Sequence, residues 1–430
     1  MPVGIEAMNL YGGSAFVDVM ELAVYRKHDL SRFDNLLMKQ KTVALPYEDS
    51  VSFAINAAQP LIDTLSETEK ERIELLITCS ESGIDFGKSI STYIHHYLGL
   101  NRNCRLFELK QACYSGTAGL QMAVNFIVSK VSPGAKALVI ASDLSRFLVT
   151  RDEEGELTMD WDFFEPSGGA GAIAMLVSEK PDIFELDIGA NGYYTYEVMD
   201  TCRPIADSEA GNADLSLLSY LDCCDQSFKE YKKRVFKVDY CDTFQYLCFH
   251  TPFGGMVKGA HRNMMRKYSD LSREAIEADF QQRVQPGLTY CQRVGNIMGG
   301  TIMLSLASTI DNAIMRNTCR VGCFSYGSGC CSEFYSGVVS PSGQAKLRDW
   351  ALGKHLDSRH RLTMEQYEIV LQRSELVKFG TRNVVLSNDL IPGAWKTITR
   401  NVRENKDIDI GKRIFLSEIK EFHRHYEWIE

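Results

Sequence analysis

The chain has 430 residues, of which 45% are hydrophobic and 24% are charged, so it can bury a large core and has the composition of an ordinary soluble globular protein. Its net charge of −9 argues against nucleic acid as a partner, because binding to phosphates requires a basic surface. The first thirty residues lack the apolar core of a signal peptide, and no apolar run approaches the roughly 20 residues of a membrane span. We therefore expect a cytoplasmic protein.

The thirteen cysteines are an odd number, and no two C-x-x-C motifs stand at the spacing of a zinc site. Small secreted proteins use regularly spaced cysteines as a disulfide framework, whereas cytoplasmic proteins keep their thiols reduced. The pattern predicts free thiols and no structural metal.

The chain opens with a predicted strand in residues 3–16 and a predicted amphipathic helix in residues 51–65. Between them lies a basic cluster, which we interpret as a solvated face. The cluster comprises Arg26, Lys27, Arg32, Lys39 and Lys41. A run rich in leucine and β-branched residues, 72–79, predicts a buried strand, and Glu81 follows it. A carboxylate at a strand end is a candidate catalytic group in an α/β fold, although a cap or surface role is more common.

Cys113 lies in a stretch from Gln111 to Gly119, where small residues precede a long apolar run. Apolar residues recur at helical spacing and also fill the other faces, so we expect a helix that is buried on all sides. The N-terminus of such a helix favours a thiolate and can hold an oxyanion. The pattern predicts a nucleophile, with a buried structural thiol as the alternative.

Residues 136–142 predict another buried strand. The piece that follows, about 144–165, is acidic and aromatic, and we interpret it as an inserted loop. Residues 167–177 then return to a strand pattern with glycines at its start. This segment has neither a P-loop lysine nor a G-x-G-x-x-G fingerprint, so the glycines indicate a strand that passes close to the active site.

The second half of the chain repeats the order of the first. A predicted strand at 244–249 ends at His250, as the earlier strand ends just before Glu81. Asn296 precedes a small-residue start and an apolar helix, as Cys113 does. Such an internal repeat predicts four strand or helix ends around one junction.

The repeated order predicts an α/β fold built from two halves, residues 1–178 and residues 179–430. Helical periodicity over 360–376 and a closing strand at 414–419 predict accessory elements at the C-terminus. We find no candidate chemistry in those elements.

A thiol, a carboxylate and an imidazole at one junction favour acyl transfer followed by carbon–carbon bond formation. Cys113 can take an acyl group from a thioester, because exchange between thioesters is nearly isoergic. Glu81, with a pKa raised by an apolar pocket, can remove a proton from the methyl of the acetyl-cysteine. His250 can hydrogen-bond the ketone oxygen of a second substrate. Asn296 can fix that substrate or position the imidazole.

Seven short motifs, in the same order over most of the chain, resemble those of the 3-hydroxy-3-methylglutaryl-CoA synthases. They are SES around Glu81, ACYSGTAG around Cys113, PSGGAGAIAML at 166–176, FHTPF around His250, VGN at Asn296, SLAS at 305–308 and FSYGSG at 324–329. The resemblance implies a thiolase-like α/β fold with two pseudo-repeated halves in five layers, α-β-α-β-α. It also implies a homodimer.

The resemblance further implies roles for individual residues. Cys113 would be the acetylated nucleophile, Glu81 the general acid/base and His250 the residue that binds the acetoacetyl group. Backbone N–H groups at Cys113 and near Ser325 would form the oxyanion hole. The substrate-binding residues that it implies are Asn296, Ser325, Tyr326, Gly327 and Ser167. No metal or redox cofactor is required.

Three departures from the CoA-dependent members stand out. Those members usually have a lysine five residues after the histidine and a tyrosine two after the asparagine, where this chain has Gly255 and Met298. They also lack so long an acidic insert. The chain looks most like the subgroup that installs β-branches in bacterial polyketides, whose substrates are held on the phosphopantetheine of acyl carrier proteins. The implied partners are a donor acetyl-acyl carrier protein and an acceptor β-ketoacyl-acyl carrier protein.

Carrier proteins are acidic, as this chain is, so docking would require a local basic patch. Lys258, Arg262 and Arg266 recur every four residues and would share one helix face. Arg32 is a second candidate. An ordinary solvated face is the alternative.

Three alternative functions agree less well with the sequence. The same chemistry on free CoA is disfavoured by Gly255, and a decarboxylating ketosynthase is disfavoured by Glu81. A non-catalytic carrier-binding scaffold would be expected to lose at least one of the three catalytic candidates. We expect an acceptor pocket more open than in the CoA enzymes, because its likely wall is lined by Gly255, Met298, Gly299 and Gly300.

Overall fold

The structure is a computed structural model that describes residues 2–146, 161–206, 208–391, 393–404 and 411–429. Its strands are β1 (Gly4–Tyr11), β2 (Ala15–Asp18), β3 (Gln40–Val43), β4 (Ile73–Cys79), β5 (Arg105–Leu109), β6 (Lys136–Leu144), β7 (Ala170–Ser178), β8 (Phe184–Thr195), β9 (Thr201–Ile205), β10 (Ser208–Gly211), β11 (Tyr246–Phe249), β12 (Cys319–Gly327), β13 (Cys331–Val339), β14 (His360–Arg361), β15 (Val384–Val385), β16 (Arg413–Lys420) and β17 (His423–Ile429).

Its helices are α1 (Val19–Arg26), α2 (Leu30–Leu36), α3 (Ser50–Asp63), α4 (Glu67–Glu71), α5 (Ser91–Tyr97), α6 (Ser115–Val128), α7 (Trp161–Ser167), α8 (Ala213–Arg234), α9 (Gly254–Tyr268), α10 (Arg273–Asp279), α11 (Gln285–Val294), α12 (Thr301–Asn312), α13 (Pro341–Arg348), α14 (Leu352–Asp357), α15 (Met364–Ser374) and α16 (Ala394–Glu404). A π-helical turn, Phe280–Val284, joins α10 to α11, and a 3-10 turn, Met298–Gly300, precedes α12.

Nine strands form one mixed sheet in the order β11-β12-β13-β8-β1-β7-β6-β4-β5. The strand directions repeat within it. From β1 through β7 and β6 to β4 the pairings are antiparallel, antiparallel and parallel, and the same sequence runs from β8 through β13 and β12 to β11. This repetition confirms the predicted duplication of an α/β half.

The two halves of the sheet enclose a central layer formed by α6 and α12. Alternate residues of β6 show the arrangement, because Leu138 and Ile140 belong to the core beneath α3 whereas Val139 and Ala141 belong to the core that holds α6 and α12. Helix α8 covers the outer face of the second half, where it forms a third core with β11 and β12. The layers therefore follow the predicted order α-β-α-β-α.

Close packing in the central layer depends on Gly116 in α6. A Cβ atom built on Gly116 would lie 2.0 Å from the carbonyl oxygen of Gly299, which is backbone and cannot rotate away. The expected burial of α6 on all sides is wrong in part: Met122 is 44% exposed and Val128 is 38% exposed. Only the face of α6 toward the sheet and α12 is buried.

We expect Gly116→Ala to lower the free energy of unfolding by about 1–3 kcal/mol, because overpacking against backbone forces the two helices apart. Gly259 in α9 supplies a matched control, since it is exposed and a Cβ there would contact nothing within 4 Å. Gly259→Ala should be neutral or slightly stabilising. Urea unfolding of both variants would measure the difference, and equal stabilities would contradict the packing role of Gly116.

The interpretation of the basic cluster as a solvated face is correct only in part. Lys27 and Lys39 are exposed, whereas Arg26 and Lys41 are not. The Arg26 guanidinium lies 2.7 Å from a carboxylate oxygen of Glu165 and 2.6 Å from one of Glu368. Lys41 is 1% exposed and donates to the backbone carbonyl of Glu165. Burial, opposed by Glu165, lowers the pKa of Lys41 to about 7. These contacts hold α1 and β3 against α7, so the interpretation as a surface patch was wrong for Arg26 and Lys41.

Several predicted elements also needed correction. Helix α3 is buried on almost every side, because β16 covers its outer face through paired hydrogen bonds between the Asn56 side chain and the backbone of Ile414. The acidic piece, 144–165, ends in helix α7 rather than in a loop, and residues 147–160 lie outside the described part of the chain.

At the C-terminus, the predicted helix forms as α15, which begins with a capping box of Thr363 and Gln366, and the predicted closing strand forms as β16. The division after residue 178 stays a prediction: β7 ends at Ser178 and β8 begins at Phe184, but both belong to one sheet. Among the described residues, no helix is long and apolar enough to cross a bilayer. All thirteen cysteines are free thiols.

Candidate active site

The carboxyl ends of three neighbouring parallel strands deliver the first group of site residues. Strand β4 lies between β5 and β6, and its last residue, Cys79, is in register with Leu109 and Ala141. Glu81 follows β4, the loop with Cys113 follows β5, and Asp143 stands near the end of β6. Loops after parallel strands are the usual place for catalytic groups, because the scaffold fixes their bases.

Asp143 shapes the loop that carries Glu81. Its Oδ1 atom accepts hydrogen bonds from the Ser80 hydroxyl at 3.1 Å, from the Glu81 backbone N–H at 2.9 Å and from the Ser82 backbone N–H at 3.0 Å. Asp143 is fully buried. Burial raises the pKa of Asp143 to about 6, because the charge of Arg203 and these hydrogen bonds offset only part of the cost of burying the carboxylate.

The Glu81 side chain is 18% exposed, and a guanidinium nitrogen of Arg203 lies 3.5 Å from its carboxylate. Burial raises the pKa of Glu81 to about 7, Arg203 opposes this, and the charges of Asp143 and Glu209 add to it. The expectation of a raised pKa is therefore met. A carboxyl group that titrates near neutrality can both take and return a proton.

The loop of Cys113 lies against the second half of the molecule. A Cβ built on Gly327 would lie 2.5 Å from the backbone nitrogen of Tyr114 and 2.7 Å from the carbonyl oxygen of Gln111, so only glycine lets the end of β12 approach this closely. The Tyr114 hydroxyl donates to Glu333 in β13 at 2.6 Å. These contacts bring the strand ends of both halves to one junction, as the sequence predicted.

The ionisation state of Cys113 is a correction. Burial, followed by the charges of Glu81, Asp143 and Glu209, raises the pKa of the Cys113 thiol well above its ordinary value. The predicted thiolate is therefore wrong for the resting site. Helix α6 begins two residues later, at Ser115, and the charges of three nearby carboxyl groups oppose the effect of its positive end on the thiol.

His250 follows β11, which pairs in parallel with β12. Its backbone is fixed on both sides: the N–H donates to the carbonyl of Phe324 at 2.7 Å, and the carbonyl accepts from the Tyr220 hydroxyl at 2.6 Å. The ring is buried, its Nδ1 atom has no hydrogen-bond partner among the described residues, and burial lowers the pKa to about 3. The imidazole is therefore neutral and keeps one N–H to donate to a substrate.

Asn296 is held beside the glycine-rich start of β7. Its backbone N–H donates to the carbonyl of Ser167 at 2.7 Å, and its side-chain oxygen accepts from Met298 and Thr301. The carbonyl of Asn296 accepts from Gly169 at 2.9 Å. These bonds confirm that the glycine-rich segment passes close to the site, and they bring Ser167 and Asn296 together.

Ser325 and Tyr326 lie near the carboxyl end of β12, and their hydroxyl groups have different surroundings. The Ser325 hydroxyl is buried without a hydrogen-bond partner among the described residues. The Tyr326 hydroxyl donates to Asp200 at 2.6 Å. The predicted roles of Ser325, Tyr326 and Gly327 in substrate binding stay predictions, although an unpaired buried hydroxyl is a group that a ligand can satisfy.

Two of the predicted pocket-wall glycines are closely packed, and the width of the acceptor pocket stays a prediction. A Cβ on Gly255 would lie 2.1 Å from the carbonyl oxygen of Asn35, and one on Gly299 would lie 2.3 Å from the Ser115 hydroxyl. Neighbouring chain therefore fills the space that a larger side chain would take. Small side chains here permit close packing.

The predicted docking residues are only partly free. In α9, Lys258 and Arg262 both pair with Glu277 of α10, at 2.5 Å and 2.8 Å. Arg266 is exposed and has no ion-pair partner among the described residues. Arg32 lies in α2, and its side chain is outside the described part of the molecule. The patch is therefore weaker than its sequence suggests, and docking stays a prediction.

Sequence reasoning missed Arg203, Glu209 and the role of Asp143. Asp143 lies at the end of a predicted strand, as Glu81 does, and that position could have identified it. Arg203 and Glu209 lie on the short hairpin β9–β10, which has no apolar pattern to signal it. No group of three or more histidine, cysteine or acidic side chains within the described ranges could hold a metal ion.

Comparison with known proteins identifies the family of the chain. Models of the N-terminal and C-terminal parts of hydroxymethylglutaryl-coenzyme A synthase match residues 1–182 and 266–395. The chain is 65% identical over 426 residues, 99% of each protein, to the polyketide biosynthesis 3-hydroxy-3-methylglutaryl-ACP synthase PksG of Bacillus subtilis (strain 168). It is 32% identical over 371 residues to the hydroxymethylglutaryl-CoA synthase of Enterococcus faecalis, covering 86% of this chain and 91% of that protein.

Among solved structures, the HMG synthase of the curacin biosynthetic pathway in complex with acetyl donor-ACP superposes with a TM-score of 0.94 at 62% identity, over the whole of both chains. The predicted thiolase-like fold and the resemblance to the polyketide β-branching subgroup are thereby confirmed. The chain belongs to the hydroxymethylglutaryl-CoA synthase family.

Proposed function

We propose that the chain condenses an acetyl group with a β-ketoacyl thioester on an acyl carrier protein, giving a 3-hydroxy-3-methylglutaryl-type β-branched intermediate in polyketide biosynthesis. The observation that carries this proposal is the Cys113 thiol within reach of the charge of the Glu81 carboxyl, whose pKa is raised to about 7. The buried, neutral imidazole of His250 supports it. Whole-chain likeness to a 3-hydroxy-3-methylglutaryl-ACP synthase supports the carrier-bound substrate.

The first step is transfer of the acetyl group to Cys113. The sulfur attacks the thioester carbonyl, the bond to the phosphopantetheine sulfur breaks, and the thiol proton passes to that departing sulfur. Because the thiol is protonated in the resting site, the exchange leaves no added charge among the carboxyl groups around it. Backbone N–H groups at Cys113 and near Ser325 would hold the transient oxyanion.

The second step forms the carbon–carbon bond. Ionised Glu81 removes a proton from the methyl of the acetyl group, and the resulting carbanion attacks the β-carbonyl of the acceptor. Glu81 then returns the proton to the alkoxide, which gives the 3-hydroxyl group and restores the ionised carboxylate. His250 donates its N–H to the carbonyl oxygen on which negative charge develops, and Asn296 orients the acceptor. Water then hydrolyses the thioester to Cys113, which frees the enzyme and leaves a carboxylate on the product.

The cofactor requirement follows from the substrates. We propose that phosphopantetheine on the carrier proteins presents both acyl groups and that no metal or redox group takes part. Thioester exchange, proton abstraction and hydrolysis change no oxidation state, which supports this proposal. The partners would be a donor acetyl-acyl carrier protein and an acceptor β-ketoacyl-acyl carrier protein, and a donor complex is known for the curacin HMG synthase.

Intact-protein mass spectrometry after mixing with acetyl-acyl carrier protein or with acetyl-CoA tests the proposal. We expect rapid acetylation of Cys113 from the carrier and slow acetylation from CoA. Efficient acetylation from CoA alone would instead support the free-CoA reaction named for the Enterococcus faecalis relative. Absence of acetylation from either donor would overturn both and favour a non-catalytic scaffold.

Arg266 is the predicted docking residue on α9 that is best suited to a mutational test, because it is exposed and has no ion-pair partner among the described residues. It lies 12 residues beyond the start of α9, about 18 Å along the helix from the end nearest His250, which an extended phosphopantetheine arm can span. Arg266→Glu should lower the rate of acetylation from the carrier on the order of tenfold, and less so at high salt. Acetylation by a small acetyl thioester such as acetyl-N-acetylcysteamine should be unchanged.

Lys180→Glu is the matched control for Arg266→Glu. It makes the same change of charge at an exposed residue just after β7, whose carboxyl end lies opposite the site because β7 runs antiparallel to β6. Loss of rate with both thioesters in Arg266→Glu, or an equal loss in Lys180→Glu, would contradict docking at α9.

We also propose a cytoplasmic homodimer. Strand β5 is an edge strand whose sheet neighbour is β4, and its apolar side chains, Leu106, Phe107 and Leu109, are only half-buried. Such an edge is normally covered by another chain or protected by charge. Light scattering at assay concentrations should give the mass of two chains, and the mass of one chain would contradict the dimer. Recovery of the protein in membrane or secreted fractions of its source cells would contradict the location.

A further inference from the structure

A two-stranded hairpin that sequence reasoning missed, β9–β10, reaches the catalytic carboxyl. Arg203 on β9 lies between two carboxyl groups: a guanidinium nitrogen is 2.5 Å from Glu209 on β10 and 3.5 Å from Glu81. Its other terminal nitrogen donates to the Ser82 hydroxyl at 3.2 Å. The guanidinium is 14% exposed, so its charge is poorly screened by water.

Asp200 fixes the base of the hairpin to the second half of the molecule. Its carboxylate accepts from the Tyr326 hydroxyl at 2.6 Å and from the Gly329 backbone N–H at 2.9 Å, and its carbonyl accepts from the Asn212 N–H at 2.8 Å. Asp200 is fully buried. The hairpin is therefore held at β12 while its arginine contacts the loop after β4, and it joins the two halves at the reacting carboxyl.

The two carboxyl groups share one guanidinium unequally. Glu209 takes the short ion pair, whereas the contact with Glu81 exceeds hydrogen-bond length for a charged pair. We propose that Arg203 and Glu209 are positioning residues that hold the Glu81 carboxyl in place and balance its charge, so that it can exchange a proton with the acetyl group during condensation. This inference rests on the proposed function.

The charged groups that face Glu81 make the balance testable. Asp143 and Glu209 favour its protonated form and Arg203 favours its ionised form, while the Cys113 thiol is neutral. The charge of Glu209 also acts on Lys41, where it opposes the lowering of the lysine pKa by burial. Removing Arg203 should therefore make Glu81 harder to ionise, and removing the charge of Glu209 should make it easier.

The test measures single-turnover condensation by pre-acetylated enzyme and acceptor carrier from about pH 5.5 to pH 9. The rate should rise with pH as Glu81 ionises. Arg203→Gln should move this rising limb to higher pH by about one unit or more, and Glu209→Gln should move it to lower pH by a similar amount. Arg203→Lys, which keeps the charge, should bring the limb back toward that of the wild type.

Arg102→Gln is the matched control, because this exposed arginine precedes β5 at the end opposite the Cys113 loop. Its pH profile should match that of the wild type. The inference would be overturned if Arg203→Gln and Glu209→Gln shifted the limb in the same direction, or if they lowered the rate without a shift. An equal shift in Arg102→Gln would also overturn it. The isosteric Glu209→Gln keeps the test decisive if Arg203→Gln does not fold. A wild-type enzyme that acetylates Cys113 but never condenses would refute the proposed function instead.

Discussion

Enzyme in which glutamine replaces Glu81 is expected to acetylate Cys113 fully and yet to form almost no carbon–carbon bond, with condensation about 10²–10⁴-fold slower. The two steps separate because only the second requires a base. In acetylation the thiol proton leaves with the phosphopantetheine sulfur, whereas in condensation the methyl proton must go to a carboxylate. Intact mass spectrometry measures the first step, and product formation on the acceptor carrier measures the second.

The charges around Cys113 strengthen this expectation. Glu81 is one of the carboxyl groups that raise the pKa of the Cys113 thiol. Its neutralisation should therefore ease ionisation of the sulfur and should not slow acetylation. Glu71→Gln, at an exposed position in α4, is the control for loss of one carboxylate. If acetylation failed as completely as condensation, the assigned role of Glu81 would be wrong.

The same variant should show a pH-dependent gain in stability. Burial raises the pKa of Glu81 from 4.5 to about 7, so the folded protein holds this proton to higher pH than the unfolded chain does. The contribution of Glu81 to stability therefore falls as the pH rises from about 4.5 to about 7, and at pH 8 the ionised group costs about 3 kcal/mol. Glutamine avoids that cost, so the variant should be more stable at pH 8 and equally stable at pH 4.

The sequence predicted those parts of the site that rest on local patterns. Glu81, Cys113, His250 and Asn296 each follow or precede an apolar run, and the structure places all four on connections between strands and helices of two similar halves. Strand and helix periodicity is a local property, and the ends of parallel strands meet by geometry. Those two facts account for the positions of the four residues along the fold, and their catalytic roles stay predictions.

The electrostatics of the site could not be predicted in the same way. Whether Cys113 is a thiol or a thiolate depends on charges brought in by distant parts of the chain, of which Glu209 lies on a hairpin without an apolar pattern. Likewise the sequence around Lys41 indicates a surface residue. Lys41 is nevertheless buried, and the carbonyl of Glu165 in α7 accepts its hydrogen bond. Long-range partners decide the cost of burying a charge, and no local pattern records them.

Replacing Cys113 with serine should abolish the acyl-enzyme and lower turnover on the order of 10⁵-fold, the scale of loss when a covalent nucleophile is removed. The hydroxyl is far less acidic than the thiol, and the neighbouring carboxyl groups that already raise the thiol pKa would oppose an alkoxide more strongly. Cys104→Ser, at a half-buried thiol before β5, is the control and should acetylate fully. Because a thioester exchanges its acyl group nearly without cost whereas an oxygen ester does not, any serine ester that formed would be a trapped product rather than an intermediate. Full turnover in Cys113→Ser would therefore rule out covalent catalysis, whatever the fate of Glu81.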